Sequence, residues 1–547
     1  MTSPEQHMAD LLAIFGSPAA CTAELLCDRH PADAVAFTLV EPDLTARHLT
    51  FGELTESSGR MASALADLGV GPGDRVATLM GKSAELVIAL LAIWRLGAVH
   101  VPLFTAFAPP AIGVRITGNG TKVVFVDADQ RAKLDASPAL PADAGRRIIT
   151  TGPSDDGTPA FADLIAAYPP LESAVAAGGD APVIELFTSG TTGSPKGVPV
   201  PLRAVAAFAM YQEYGLDHRP SDVFWNAADP GWAYGLYFSL VAPLALGRTA
   251  VLVHSGFSPA LTWSVLSRFA VTNFAAGPTL YRALRHADTP VPENLRLRHC
   301  SSAGEPLTQD VIPWAERTLG VPVLDHYGQT ELGMAVANAW HPDLRGEVRP
   351  GSMGRALPGW TVEILRPDED VPAGPGVTGR VAVDCAHSPL MWFTGYQDAE
   401  GRTAERFSPD RRWYYTGDVA TKDEDGHLFF AARDDDVILM GGYRIGPFDV
   451  ESVLAAHEAV AEAAVVGAPD ELRGEVLVAF VVLRPTARPG DELVAELQQA
   501  VRTGFAAHAY PRAIHFVPEL PRTPSGKTQR FLLRQRLQAG SAHPTTH

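Results

Sequence analysis

The chain has 547 residues, 46% of them hydrophobic and 19% charged, with a formal net charge of −18. Such a length predicts about two to four domains, and the acidic balance excludes a nucleic-acid partner held by bulk electrostatics. It leaves room for an anionic substrate in a locally basic cleft. Cys21, Cys27, Cys300 and Cys385 form no CxxC pair and no zinc-like cluster with His, and so few thiols suit a reducing compartment. The N-terminus, MTSPEQHMADLLAIF, lacks a basic segment followed by an apolar core, and the most apolar stretch, 86–103, is broken by Arg95 and Gly97. A cytoplasmic protein without a membrane partner is expected.

Short apolar runs alternate with helical patterns along most of the chain, which predicts α/β layers with parallel strands. Strands are expected at RVATLM (75–80), KVVFVD (122–127), VIELF (183–187) and AVLVH (250–254). AELVIALLAIWRLG (84–97) has helical periodicity and ends at Gly97. Three further strand-like runs, 271–279, 295–306 and 321–331, each end in a polar loop. Ligands bind at the carboxyl ends of strands in open α/β sheets, so these loops are candidate site elements as well as candidate ordinary turns. From about 352 to 431 the pieces become short and β-rich, with two strands expected around a turn at Asp425-Gly426. A compact α+β pattern follows the acidic run Asp434-Asp435-Asp436, and a domain boundary is placed near Asp435.

The stretch LFTSGTTGSPKGV (186–198) combines small hydroxylated residues with one lysine. Glycines let a backbone turn its N–H groups toward a ligand, Ser and Thr add hydroxyls, and Lys adds a point charge; together they suit a phosphate chain. A flexible linker has the same composition. The loop is not a Walker A motif, because Pro195 stands at the second glycine position; SGKT (525–528) fails too, with Pro521 in place of the upstream Gly.

FTSGTTGSPKGV resembles the signature loop of the adenylate-forming superfamily of acyl-CoA synthetases, peptide-synthetase adenylation domains and luciferases. Further resemblances occur in the family's order: LTFGEL (49–54), LGAVHVPL (96–103), SSAGEPL (301–307), DHYGQTE (325–331), WYYTGD (413–418), ARDDDVILMGGYRIGPFDVE (432–451) and LPRTPSGKTQR (520–530). YGQTE and GGYRIGPFDVE are most similar to medium-chain acyl- and aryl-CoA synthetases. The implied fold is α/β: a large N-terminal domain (1–434) of layered α/β subdomains plus a small β-barrel, and a small mobile α+β C-terminal domain (435–547).

The implied chemistry is ATP-dependent activation of a carboxylate to acyl-AMP, with Mg²⁺, then transfer to the thiol of CoA. Oxide is a poor leaving group and AMP a good one, and both half-reactions gather anions that need cations and inward-pointing N–H groups. The resemblance assigns Thr188, Ser189, Gly190, Thr191, Thr192, Gly193 and Lys196 to the β- and γ-phosphates, and Glu331 with Thr188 to Mg²⁺. It sets Gly304, Glu305, Pro306, Asp325, His326, Tyr327, Gln329 and Thr330 around the adenine and α-phosphate. Asp418 is assigned to the ribose hydroxyls with Arg433 assisting, Lys527 to the carboxylate and α-phosphate, and Arg444 to phosphates. Asp435 matches the hinge, Gly442 the thiol tunnel and Arg502 a contact to the CoA nucleotide. Read without the family, Glu331 is a helix-start carboxylate, TGD a turn and Lys527 part of an exposed basic loop.

Trp232, Ala233, Tyr234, Gly235, Tyr237 and Phe238 are assigned to the acid pocket, with Gly328 leaving space where acetate-specific relatives have Trp. These aromatics predict an aromatic or medium-chain acid, and Gly328→Trp is expected to shift preference toward acetate or propionate. Ala432, Leu439 and Asp449 depart from the family's usual Gly, Lys or Asn, and Glu. Joint retention of Lys196, Glu331, Asp418, Arg444 and Lys527 disfavours a non-catalytic nucleotide binder. No GxxS signature follows Lys527, which favours free CoA as acceptor over a carrier protein, an amine or another oxyanion. A monomer or homodimer is expected.

Overall fold

The structure is a computed structural model. It describes residues 3–135, 140, 145–153, 157–188, 195–308, 311–440, 443–470, 474–505, 509–523 and 527–540. The described strands form three sheets, of thirteen, six and five strands.

The six-stranded sheet contains Arg75–Leu79, Val99–Pro102, Val123–Val126 and Arg147–Thr150 as parallel neighbours, and Pro182–Thr188 and Lys196–Pro201 as an antiparallel pair. The predicted helix spans Ala84–Arg95. Ser83 starts it by accepting the N–H of Leu86, and Gly97, at φ +64°, turns the chain out of it. All twelve helix residues except Glu85 are buried, so its continuous apolar sequence is a core signature.

The thirteen-stranded sheet has a parallel centre. In spatial order it runs Val35–Val40, Ala250–Val253, Phe224–Asn226, Asn273–Ala276, His299–Ala303 and Val323–Gln329. The last of these folds back through Thr330–Leu332 into the antiparallel strand Gly333–Ala337. The segment expected to form a small barrel continues the same sheet as an antiparallel flank, with Ser352–Ala356, Leu428–Arg433, Trp413–Lys422, Gly379–Asp384 and Val362–Leu365 in that order.

Beyond residue 437 a separate sheet takes over. Val460–Asp470 and Gly474–Leu483 form its long antiparallel pair, and Ala513–Phe516 adds in parallel. Helices Pro447–Ala455, Asp491–Gly504 and Arg530–Gly540 accompany this sheet, which has its own cores around Val465, Leu477 and Leu497 and around Val466, Phe480 and Leu533. Among the described residues no helix is long and apolar enough to cross a membrane.

Candidate active site

The parallel centre of the large sheet delivers four loops to one edge. They follow Asn226, Ala276, Ala303 and Gln329, the carboxyl ends of neighbouring strands, which is where an open α/β sheet collects its ligand. The last three are the polar runs noted above, and the first leads into the aromatic stretch WAYGLYF.

Asp325 lies near the end of one such strand. Its Oδ2 accepts the N–H of Leu307 at 3.3 Å, while Oδ1 is shielded from solvent and has no hydrogen-bond partner. Desolvation pushes the carboxyl up to about 8, partly offset by the N–H groups of Leu307 and His326. An orphaned buried acceptor costs free energy unless a ligand donor reaches it, and the exocyclic amino group of adenine is such a donor. Gly304, exposed at φ +95° with open space around it, turns the neighbouring loop. Glu305 beside it accepts from Thr279 Oγ1 at 3.1 Å and Arg282 at 2.9 Å, and Pro306 is half-buried.

Asp418 is 4% exposed at the kink in the strand Trp413–Lys422. Oδ2 accepts from Tyr327 Oη at 2.6 Å and Gln329 Nε2 at 2.7 Å, and Oδ1 pairs with Arg433 Nε at 3.2 Å. A carboxylate offers about four acceptor sites. Two are taken by hydrogen bonds, both on Oδ2, so Oδ1, held only by the Arg433 ion pair, remains for ribose hydroxyls. Gln329 has both amide protons committed, since it also donates to Thr416 O, and its oxygen accepts from Tyr414 Oη. Tyr327 and Gln329 therefore aim Asp418, a supporting role the sequence reading did not separate from nucleotide contact. Thr330 contributes its carbonyl to Tyr237 Oη at 3.1 Å.

Ser189, Gly190, Thr191, Thr192 and Gly193, assigned from the sequence to the phosphates, lie outside the described residues, and the strands that flank them pair antiparallel, with Thr188 opposite Lys196. The Lys196 ammonium lies 4.8 Å from the centroid of the Tyr396 ring, and Tyr396 Oη donates to Glu331 Oε1 at 2.7 Å. Desolvation lowers Lys196, Arg406 and Arg402 lower it further, and Glu331 and Glu405 oppose them. Lys196, Arg402 and Arg406 beside buried Glu331 form a local cationic field inside an acidic protein. Tyr396 and Arg406 were missed from the sequence: 10 residues apart in a stretch read only as β-rich, they carry no motif.

Lys527, on the C-terminal sheet's side of the chain, is exposed to solvent and lies within electrostatic range of this cleft. Thr523 and Lys527 clamp the base of its loop, Thr523 N–H donating to Lys527 O at 2.7 Å and Lys527 N–H to Thr523 Oγ1 at 3.0 Å. Desolvation lowers its ammonium; Glu305, Asp418 and Glu331 raise it and Arg433 opposes them, which puts it in electrostatic reach of all four. Asp435 belongs to the short turn 434–436, and Arg444 pairs with Leu439 across a two-strand ladder; their side chains, and Gly442 altogether, lie outside the described residues. Arg502 stacks on the Tyr510 ring at 3.7 Å, with Arg512 on the same ring at 3.9 Å.

The aromatic loop divides in two. Trp232, Ala233 and Tyr234 keep partial exposure, whereas Gly235, Tyr237 and Phe238 are buried. Tyr237 stacks on Phe208 at 4.1 Å and is core, and a Cβ on Gly235 would meet Asp229 O at 2.0 Å, so its small size serves packing. Trp232 packs against Phe104 and Phe107. Gly328 sits at a bulge, where a Cβ would meet Gly333 O at 1.9 Å and Met334 Cα at 2.7 Å. Any side chain there must move the neighbouring strand before it reaches a pocket.

Taken together, these features fit a nucleotide-using enzyme in which a lysine of the C-terminal region lies within electrostatic reach of the large sheet's carboxylates. The AMP-binding enzyme family's sequence profile matches residues 24–396, and the AMP-binding enzyme C-terminal domain profile matches 449–527. The chain belongs to the AMP-binding enzyme family. It is 34% identical to the mitochondrial acyl-coenzyme A synthetase ACSM3 of Rattus norvegicus over 495 residues, 89% of this chain and 84% of that protein. A Brucella canis acyl-CoA synthetase structure shares 42% identity at TM-score 0.75, covering 99% and 98% of the two chains. The anthranilate CoA ligase AuaEII, solved with anthranoyl-AMP, shares 28% identity at TM-score 0.85, covering 96% and 98%.

Proposed function

We propose that this protein adenylates a medium-chain or aromatic carboxylic acid with ATP, releases pyrophosphate, and transfers the acyl group to the thiol of CoA. One observation carries the reading: Lys527 stands in electrostatic reach of Glu305, Asp418 and Glu331, residues of three separate elements of the large domain. A cation there offsets the repulsion between an attacking carboxylate and the α-phosphate. Asp325 fixes the adenine through its unpartnered oxygen, Asp418 fixes the ribose, and Lys196 with Arg406 holds the departing pyrophosphate.

Glu331 and Thr188 are hard oxygen donors that fit Mg²⁺. Among the described residues no three acidic, His or Cys side chains gather to hold an ion, so its remaining ligands would be phosphate oxygens and water. Bound there, Mg²⁺ supplies charge neutralisation. Trp232, Ala233 and Tyr234 line the acid site, Asp435 serves as the hinge, and Arg444, Gly442 and Arg502 serve the phosphate and CoA contacts. The cysteines are free thiols, three of them buried, in keeping with a cytoplasmic enzyme.

The test is incubation with ATP, Mg²⁺ and a panel of acids, with and without CoA, followed by mass spectrometry. Acyl-CoA from one acid class is expected. Acyl-AMP and pyrophosphate without acyl-CoA would keep the adenylation and move the acceptor to a carrier thiol or an amine. Neither product from any acid would overturn the reading.

A further inference from the structure

Three side chains from separate elements, His326, Tyr211 and Tyr234, form a hydrogen-bonded chain with a fixed direction. His326 is 2% exposed, and its Nε2 lies 3.1 Å from Asn338 O. A carbonyl only accepts, so Nε2 carries the proton. Burial pushes the ring down to about 4, so at neutral pH it carries one proton and Nδ1 is an acceptor. The hydroxyl of fully buried Tyr211 lies 2.7 Å from Nδ1 and must donate to it. That uses the only proton on Tyr211, whose oxygen then accepts from Tyr234 Oη at 3.2 Å. Burial holds the Tyr234 phenol above its ordinary range, with Asp325 adding to the effect, so it stays protonated and its proton stays turned inward. Tyr234 alone of the three keeps partial exposure, and its oxygen, with its one proton committed to Tyr211, can meet a ligand only as an acceptor.

Resting on the proposed function, we infer that the chain His326–Tyr211–Tyr234 selects acids whose body carries a hydrogen-bond donor, a hydroxyl or an amino group, placed against Tyr234 Oη. An acid lacking the donor leaves that oxygen unpaired in a desolvated site. An acid presenting an acceptor there meets lone pair against lone pair. A site built to hydrogen-bond a substrate hydroxyl discriminates far more strongly than an apolar one.

The experiment compares kcat/KM for pyrophosphate release across size-matched acids: hydroxybenzoate and aminobenzoate isomers against benzoate and the methoxybenzoates, and hydroxyoctanoates against octanoate. At least one donor-bearing acid is expected to exceed its unsubstituted and methoxy or alkyl counterparts by about 10-fold or more. Tyr211→Phe removes the acceptor for the Tyr234 proton, which then turns toward the cleft. The preference is expected to move toward the methoxy acid, an inversion that loosened packing does not produce. Tyr234→Phe is expected to bring the donor-to-unsubstituted ratio to about 1, and it serves equally should Tyr211→Phe fold poorly. Pyrophosphate release without preference for donors, or a wild-type order unchanged in both variants, overturns this inference and leaves the proposed function standing. No pyrophosphate from any acid overturns both.

Discussion

Lys527 is the side chain on which the proposed chemistry turns, and its environment shows why a lysine suits the position. It combines a long stem with a compact charge, and from an exposed position it stands in a field where desolvation and Arg433 weaken its hold on the proton and the carboxylates strengthen it. Lys527→Ala is expected to lower acid-dependent pyrophosphate release by about 100-fold or more, with ATP binding retained, as separate calorimetric titration and pyrophosphate assays will show. Asp325 provides a pH-dependent test. Its carboxyl holds a proton up to about 8 in the folded protein, against an ordinary 3.8. Ionising it therefore costs the folded state increasingly as pH rises from 4, with the full cost present above 8. Asp325→Asn has no such cost. Its melting temperature relative to wild type is expected to rise between pH 5 and about 9. A pH-independent difference in melting temperature refutes the burial argument.

The elements that matter most are the strand ends and the hairpin after Gln329. The sheet's parallel pairing brings loops spread over about 100 residues to one edge, and the bulge between Tyr327 and Gly328 sets the side chains before and after it. Because a Cβ at Gly328 meets the Gly333 carbonyl, Gly328→Trp perturbs a strand pair before it fills any pocket. The acetate shift expected from sequence is therefore accompanied by a structural cost. Gly328→Ala, too small to block an acid, is expected to lose about 1–3 kcal/mol of stability, measured by chemical denaturation. An alanine variant as stable as wild type would return Gly328 to the role of an open pocket floor. The strands and helix at 75–80, 84–97, 122–127 and 250–254 were legible because apolar runs bounded by polar turns leave few alternatives. The split of the WAYGLYF loop was not legible, since Tyr234 and Tyr237 look alike until packing puts one against Phe208 and the other at the cleft.

In the whole molecule, the C-terminal sheet carries a catalytic candidate that must be delivered to the large domain. A polar network ties its last helix to the turn at the boundary. Arg530 donates to Glu451 Oε2 at 2.7 Å and pairs with Asp436 at 3.2 Å, and Arg534 reaches Asp436 at 2.8 Å. Removing the shared cation leaves Glu451 and Asp436 poorly compensated. Arg530→Met is expected to cost the C-terminal region about 3 kcal/mol, seen as faster hydrogen exchange in 438–516 with exchange in 224–329 unchanged. Equal protection in both regions would show that the network contributes nothing to the smaller unit.

The sequence by itself determined the residue types and their order. A hydroxyl- and glycine-rich loop with one lysine, TGD in a β segment, and a Pro-bracketed SGK loop each reflect local chemistry, because turns and phosphate cradles are built from adjacent residues. Only the tertiary structure decided which side chains share a site and in what state. Asp418 accepts from Tyr327 and Gln329 and pairs with Arg433, Tyr396 and Arg406 stand beside Glu331, and His326 fixes the proton on a tyrosine 92 residues away through one 115 residues away. Those facts depend on strand order and burial, which bring distant residues into hydrogen-bonding range and set which proton each one holds.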